Sequence, residues 1–269
     1  MAKAFAQAHA KAIIITAREV STLKSTEQLI KTIDPSIQVL PIAMEVTKEE
    51  SVKAAFEQIK QKFGTVDVLV SNAGSLNVDQ PISAADTSKW WGDFVSYSSL
   101  RDTGAQIVER MTDDIVQDVN VKGQMLSAKY FLQLLGSEKQ GKIIIVSSAA
   151  GLITLPGSSS YTISKLVGMQ LARTLSVENS NVLAVALHPG IVVTDMLSDV
   201  FRAFAKDTPL LAGAAAVWLA TDAAKFLNGR YISANWDVVE MMARKAEIDG
   251  NDTLQVGLHG NFITATVEG

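Results

Sequence analysis

The chain has 269 residues, 48% hydrophobic and 19% charged, and its 24 basic and 28 acidic residues leave a net charge of −4. That is the make-up of a globular domain able to bury a core; it excludes a disordered chain and offers no broad cationic surface for nucleic acid or an anionic membrane. The chain has no cysteine, which excludes disulfides, thiolate catalysis and cysteine zinc sites, and its three histidines, His9, His188 and His259, are too scattered to form a helical metal pair.

The longest nearly apolar stretches, Ile143–Pro156 and Leu210–Ala220, fall short of the roughly 18–20 residues of a membrane-spanning helix. A soluble, cytoplasmic protein is the expectation. In chain order, the first ten residues read as the end of a helix running into a strand at Ala12–Thr16. A helix over Ser21–Ile33 leads to a strand at Val39–Met44. The next helix, Lys48–Phe63, sets Val52, Ala55, Phe56, Ile59 and Phe63 on one stripe. A strand at Val66–Ser71, a helix at Val119–Leu135 and a strand at Lys142–Ser147 follow. After them come a helix at Tyr161–Ser176, a strand at Val182–His188, a helix at Leu211–Ala220 and a weaker strand at Arg230–Ser233. The alternation predicts one domain over residues 1–269, built of βαβ units. Its sheet is parallel, with helices on both faces and ligands beyond the carboxyl ends of the strands. Two features break the pattern. No glycine precedes Gly64, so no glycine-rich phosphate turn follows the first strand, and Val95–Gln117 separates two segments that otherwise read continuously. The tail over 237–269 carries no chemical motif.

Tyr161 and Lys165 lie four apart in a helical segment, so their side chains share one face about a turn apart. An ammonium there favours the phenolate and lowers a tyrosine pKa from its usual value of about 10, as a general acid/base requires. The same spacing also describes a surface tyrosine beside a solvated lysine. Ser148 ends the strand-like run KIIIVSS at the edge where ligands bind, with a hydroxyl able to hold a substrate oxygen. Asn72, Ala73 and Gly74 close VLVSNAG, where small residues let the backbone approach a flat cofactor or simply make a turn. Asn120 opens a helix in DVNVKG, and Pro189, Gly190, Val192 and Thr194 follow a strand in LHPGIVVTDM. Each of these, taken singly, reads as turn or cap chemistry.

In the order NAG, N-x-x-G, SS, YxxxK and PG-x-x-x-T, these residues resemble the short-chain dehydrogenase/reductase family from Met1 to about Trp236, apart from Val95–Gln117. The ending NGRYISANWDV is similar to fungal-type members. The resemblance implies an α/β, Rossmann-like doubly wound sheet and an oxidoreductase that interconverts a carbonyl and an alcohol, with the hydride carried by a nicotinamide. It implies Tyr161 as acid/base, Lys165 as the group that lowers its pKa and holds the nicotinamide ribose, and Ser148 as the residue that orients the substrate oxygen. Asn120 would hold a water linking Lys165 to solvent. Asn72, Ala73, Gly74, Pro189, Gly190, Val192 and Thr194 would lie along the cofactor. Glu45 and Val46 stand where members usually place Asp-Val at the adenine. Arg18, after the first strand, suits the 2′-phosphate of NADP, with NAD as the alternative. A homodimer or homotetramer through the helices of Asn120 and Tyr161 is implied as well.

The chain also departs from the family. The first strand and its TGxxxGxG turn would precede Met1, so two central strands are expected to lack a partner, at about 1–3 kcal/mol for each buried unpaired group. The helix N-terminus that binds a pyrophosphate goes with them; a false start codon is one explanation. His9 stands where members often have a glycine at positive φ. Removing Val95–Gln117 rejoins WWGDF to DVNVKG, and the segment reverse-translates with GTG-AGT at its start and CAG at its end. A retained intron is one expectation; a genuine loop with Ile107, Val108, Met111, Ile115 and Val116 on a helical stripe is the other. Asp195–Pro209, with Met196, Leu197, Val200, Phe201 and Phe204, predicts either an apolar lid for a hydrophobic substrate or a helix packed on the core. The alternative to an enzyme is a degenerate member, or the product of a wrong gene boundary, unable to hold cofactor.

Overall fold

The computed structural model describes residues 1–76, 80–87, 90, 118–194, 197 and 199–258. The expected insert over 95–117, Trp91 and His259 lie outside the described residues. Six strands occur among them: β1 (Ala12–Ala17), β2 (Gln38–Ala43), β3 (Val68–Ser71), β4 (Gly141–Val146), β5 (Val182–His188) and β6 (Tyr231–Ser233). All pairings are parallel, and they form two sheets, β2–β1 and β3–β4–β5–β6. Strands β4 and β5 are buried along nearly their whole length, which is why KIIIV and VLAVAL read as continuous apolar runs rather than alternating ones.

Helices among the described residues include α1 (Ala2–Gln7), α2 (Lys24–Ile33), α3 (Glu49–Phe63), α4 (Gly123–Leu135), α5 (Ser159–Glu178), α6 (Asp199–Arg202), α7 (Pro209–Leu219), α8 (Val238–Ala243) and α9 (Lys245–Asp249). On one face, Val52 and Phe56 of α3, Leu126 and Phe131 of α4 and Met169 of α5 pack on Ile143 and Ile145. On the other, Leu219 and Phe226 pack on Ile144, Val185 and Ile232. The split of Ile143, Ile144 and Ile145 between two cores is the period-two pleat of a strand. Ala6 and Ile30 cover Ile13, Ile15 and Val39 of the smaller sheet.

Among the described residues β1 has β2 as its one neighbour, and β3 has β4 as its only one. The two open edges belong to one layer, because Ile14 of β1 and Leu69 of β3 pack on the same core, and Phe5 of α1 packs on both cores of the opposite face. Helix α1 lies tight on α7, where a Cβ at Gly213 would stand 2.7 Å from the Cβ of Ala4.

The predicted strands match the observed ones to within two residues. The helix expected from Ser21 begins as a 3₁₀ turn, Val20–Leu23, and the one expected from Val119 begins as a π turn, Asp118–Lys122. Helices α6, α8 and α9 are too short for periodicity to reveal. His9 takes φ 57°, the left-handed conformation expected there, and its ring lies 3.3 Å from the Asp34 carboxylate.

Candidate active site

The residues singled out in the sequence gather at the carboxyl ends of β3, β4 and β5. Asn72, Ala73 and Gly74 follow β3, Ser148 follows β4, and Pro189 and Gly190 follow β5. Asn120 sits in the π turn before α4, the kind of local widening that re-aims a side chain. Tyr161 and Lys165 lie near the start of α5. Ser147 anchors that helix to β4, since its hydroxyl donates to the Lys165 carbonyl at 2.8 Å.

Asn120 is fully buried. Its Oδ1 accepts from the Ser75 N–H at 2.9 Å, and its Nδ2 donates to the Ser75 carbonyl and to Ser164 Oγ, each at 2.9 Å. Ser164 in turn donates to the Tyr161 carbonyl at 2.7 Å. Both amide hydrogens of Asn120 are thereby used, and one Oδ1 lone pair is left for the expected water. A Cβ on Gly74 would stand 3.4 Å from Asn120 Oδ1 and 3.6 Å from Lys165 Nζ, so a glycine there keeps the space between them open.

Lys165 is 5% exposed. Its ammonium donates to the Val146 carbonyl at 3.1 Å and lies 5.5 Å from the centre of the Tyr161 ring. Burial lowers its pKa to about 8. Burial pushes the Tyr161 phenol up, and a hydrogen bond with Ser148 works in the opposite direction. The expected lowering of Tyr161 by Lys165 is therefore not found: the ammonium is turned to Val146, and desolvation of the phenolate dominates. Ser148 caps the 3₁₀ turn Ala149–Leu152, with its Oγ accepting from the Ala150 N–H at 3.2 Å.

A cleft of about 200 Å³ opens beside these groups, lined by Thr16 and Ala17 at the end of β1 and Arg18 after it, Met44, Glu45 and Val46 after β2, Ala73 and Gly74 after β3, and Val119. It brings together Arg18, Glu45, Val46, Ala73 and Gly74; Asn72, Pro189, Gly190, Val192 and Thr194 are not in its lining. A larger cavity of about 490 Å³ lies beyond β6 against Trp236, Met241 and Leu254 and contains none of the residues above. Among the described residues no group of three histidine, cysteine or carboxylate side chains is placed to hold a metal ion.

Several residues of this edge were missed in the sequence. Ser75 and Ser164 hold Asn120, yet nothing distinguishes them from ordinary loop and helix serines. Asp207 accepts from the Ile191 N–H at 2.7 Å and from Asn235 Nδ2 at 2.7 Å, which ties the Pro189-Gly190 loop to the end of β6. Gly190 has φ 85°, and a Cβ there would stand 2.5 Å from Asp207 Oδ2. The residue pair Gly190 and Asp207 is brought together by the fold, and spacing could not reveal it. His188 receives the Ala149 N–H at 3.3 Å, a packing role beside the Ser148 turn.

A parallel α/β layer with a tyrosine, a lysine, a serine and an asparagine converging at its carboxyl edge defines a dehydrogenase of the doubly wound class. The chain belongs to the short chain dehydrogenase family, whose sequence profile matches residues 1–204. It is similar to the short chain dehydrogenase mpl6 of Monascus purpureus, with 34% identity over 267 residues, covering 96% of this chain and 83% of that one. In fold it is similar to a short-chain type dehydrogenase/reductase from Mycobacterium marinum, with TM-score 0.72 and 22% identity, covering 86% of this chain and 87% of the other. It is also similar to a gluconate 5-dehydrogenase from Burkholderia cenocepacia in complex with NADP and tartrate, with TM-score 0.70 and 19% identity, covering 86% of both chains. No helix among the described residues is long and apolar enough to cross a membrane.

Proposed function

We propose that the chain carries, in a single domain, the catalytic site of an NADP(H)-dependent oxidoreductase that interconverts a carbonyl and an alcohol on a small, apolar substrate, and that cofactor binding needs a strand and glycine-rich turn ahead of β1. One observation carries this reading: the Tyr161 hydroxyl, hydrogen-bonded with Ser148, stands beside the buried Lys165 at the strand ends. Leu152, Ile153 and Val193 expose apolar surface on the loops after β4 and β5, which supports an apolar substrate. Exposed Met125, Ile163 and Leu166 on α4 and α5 support a homodimer or homotetramer contact there.

The residues present fit the cofactor at its two ends. Arg18, Glu45, Ala73 and Gly74 line the cleft suited to an adenosine, with Arg18 as partner for a 2′-phosphate. Tyr161 and Lys165 suit the nicotinamide ribose. Among the described residues no glycine-rich turn lines that cleft to meet a pyrophosphate. When bound, the cofactor supplies the hydride for the carbonyl carbon. At the oxygen, Ser148 donates the hydrogen bond that holds it, and Tyr161 delivers its proton as negative charge develops there. The charged Lys165 then stabilises the phenolate left behind. Asn120, through Ser164, fixes the turn of α5 that carries the tyrosine. The unlined pyrophosphate region favours a second reading, a non-catalytic member that keeps the fold, and NADPH-linked turnover by a chain extended with a strand and a TGxxxGxG turn separates the two.

Two tests use a chain extended at its amino end by one strand and a TGxxxGxG turn. Arg18→Asp should shift preference from NADP toward NAD, because it exchanges a phosphate partner for an acceptor of ribose hydroxyls; kcat/KM for the two cofactors reads this, and an unchanged ratio removes Arg18 from the site. For reduction, Tyr161 must be protonated and Lys165 charged. With its pKa near 8, Lys165 is charged below that pH and neutral above it. The kcat/KM for carbonyl reduction should therefore fall as pH rises through about 8, and a profile flat to about pH 9.5 would remove Lys165 from the reaction.

A further inference from the structure

We propose that His188 is a positioning residue for the reaction: its neutral imidazole holds the Ala149 N–H and thereby fixes the peptide that aims the Ser148 hydroxyl at Tyr161. The inference deepens the reading of Ser148 and Tyr161 given above and rests on it. In the parallel ladder of β4 and β5 the Ser147 N–H donates to the Leu187 carbonyl at 2.8 Å. The next rung, two residues on, would run from the Ala149 N–H to the Pro189 carbonyl, but the register ends at Val146 and Leu187. His188 Nδ1 accepts the Ala149 N–H at 3.3 Å in its place. The backbone of His188 is turned to β6, where its carbonyl accepts from the Ala234 N–H at 2.9 Å, so it is the side chain that reaches back to β4.

The peptide between Ser148 and Ala149 is thus held at both ends, its N–H by the His188 ring and its carbonyl by the Gly151 N–H at 3.0 Å. A hydroxyl hydrogen-bonded with Tyr161 is only as well aimed as the backbone that carries it. An imidazole accepts at Nδ1 only while its proton sits on Nε2; protonated at both nitrogens it turns an N–H toward the Ala149 N–H, and the contact becomes repulsive. The turn after β4 presents Ser148 and Ala149, and the chain after β6 presents Ala234 and Asn235, none of them charged. On α5 the titratable groups at this edge are Tyr161, engaged with Ser148, and Lys165, turned to the Val146 carbonyl. Asp207, before α7, is the charge among the described residues that acts on the ring. Burial holds the His188 pKa below its usual 6.5 against the pull of Asp207, so the ring accepts at neutral pH and lets go on the acid side.

The first arm of the test is an NMR pH titration of the full chain, read at the His188 ring, the Ala149 amide and the Tyr161 phenol carbon. The three signals should move together with one midpoint below 6.5. In His188→Asn, whose amide oxygen can accept where Nδ1 did, the Ala149 and Tyr161 signals should stay still over the same range. Signals of Ala149 and Tyr161 that ignore the ring's titration would overturn the proposal. The second arm is carbonyl reduction by the chain extended with a strand and a TGxxxGxG turn. Its kcat/KM should fall on the acid side with the midpoint of the ring, and His188→Leu should lower kcat about tenfold at neutral pH while NADPH affinity stays within a few-fold. His188→Asn should recover most of that rate and lose the acid limb. A full rate in His188→Leu, or an acid limb that persists in His188→Asn, would equally overturn it. An extended chain without turnover whose three signals still titrate together would sink the reaction assigned to Ser148 and Tyr161, and leave the hold of His188 on the Ser148 turn standing.

Discussion

Residues 1–269 are expected to show no calorimetrically detectable NADPH binding, and the chain extended by a strand and a TGxxxGxG turn is expected to bind it at least about a hundredfold more tightly. The cofactor's charge is concentrated in its phosphates. In the proposed site Arg18 answers the 2′-phosphate, but among the described residues the cleft lining includes no helix N-terminus to present backbone N–H groups to a pyrophosphate. Charge-assisted hydrogen bonds contribute about 1.5–3 kcal/mol each, so two of them already account for the expected ratio. Deleting Val95–Gln117 alone supplies none of these donors and should gain little affinity. Good turnover should need both changes, the extension alone giving a weaker but measurable rate, because the deletion acts on the run leading to Asn120, whereas the extension acts on cofactor binding. Tight binding by the unmodified chain would mean that another group meets the pyrophosphate.

Most of the sheet was legible because parallel strands covered on both faces must be apolar throughout, and IIIV, VLAVAL and AIIIT have no other economical use. The helix stripe of Val52, Phe56 and Ile59 was legible for a similar reason. What periodicity did not show was local. The π turn at Asp118–Lys122 shifts the ladder by one residue without changing which residues are apolar, and helices of four to six residues, such as α6 and α8, have too little length for a stripe. In the site, Tyr161, Lys165 and Ser148 were visible because their chemistry depends on fixed local spacing. Ser75, Ser164 and Asp207 were not, since each acts through contacts made between separate elements. The sense of the Tyr161 shift was also beyond spacing: it is set first by how deeply the fold buries the phenol, while the Lys165 ammonium is turned to the Val146 carbonyl.

Tyr161 is the residue on which the account turns. The chain has no cysteine, His188 at the end of β5 accepts from the Ala149 amide, and in the proposed reaction the Tyr161 phenol, hydrogen-bonded with Ser148, is the proton donor. Tyr161→Phe keeps the ring and its packing and removes only that proton. General acid catalysis contributes about 10²–10⁴-fold, so NADPH-linked carbonyl reduction by the extended chain should fall by that factor while its affinity for NADPH stays within a few-fold. The direct measurement is the single-turnover rate of NADPH oxidation with saturating carbonyl substrate, in parallel with an NADPH titration, for the extended chain and its Tyr161→Phe variant. The account predicts loss of the rate with retention of binding; an undiminished rate in the variant would contradict it.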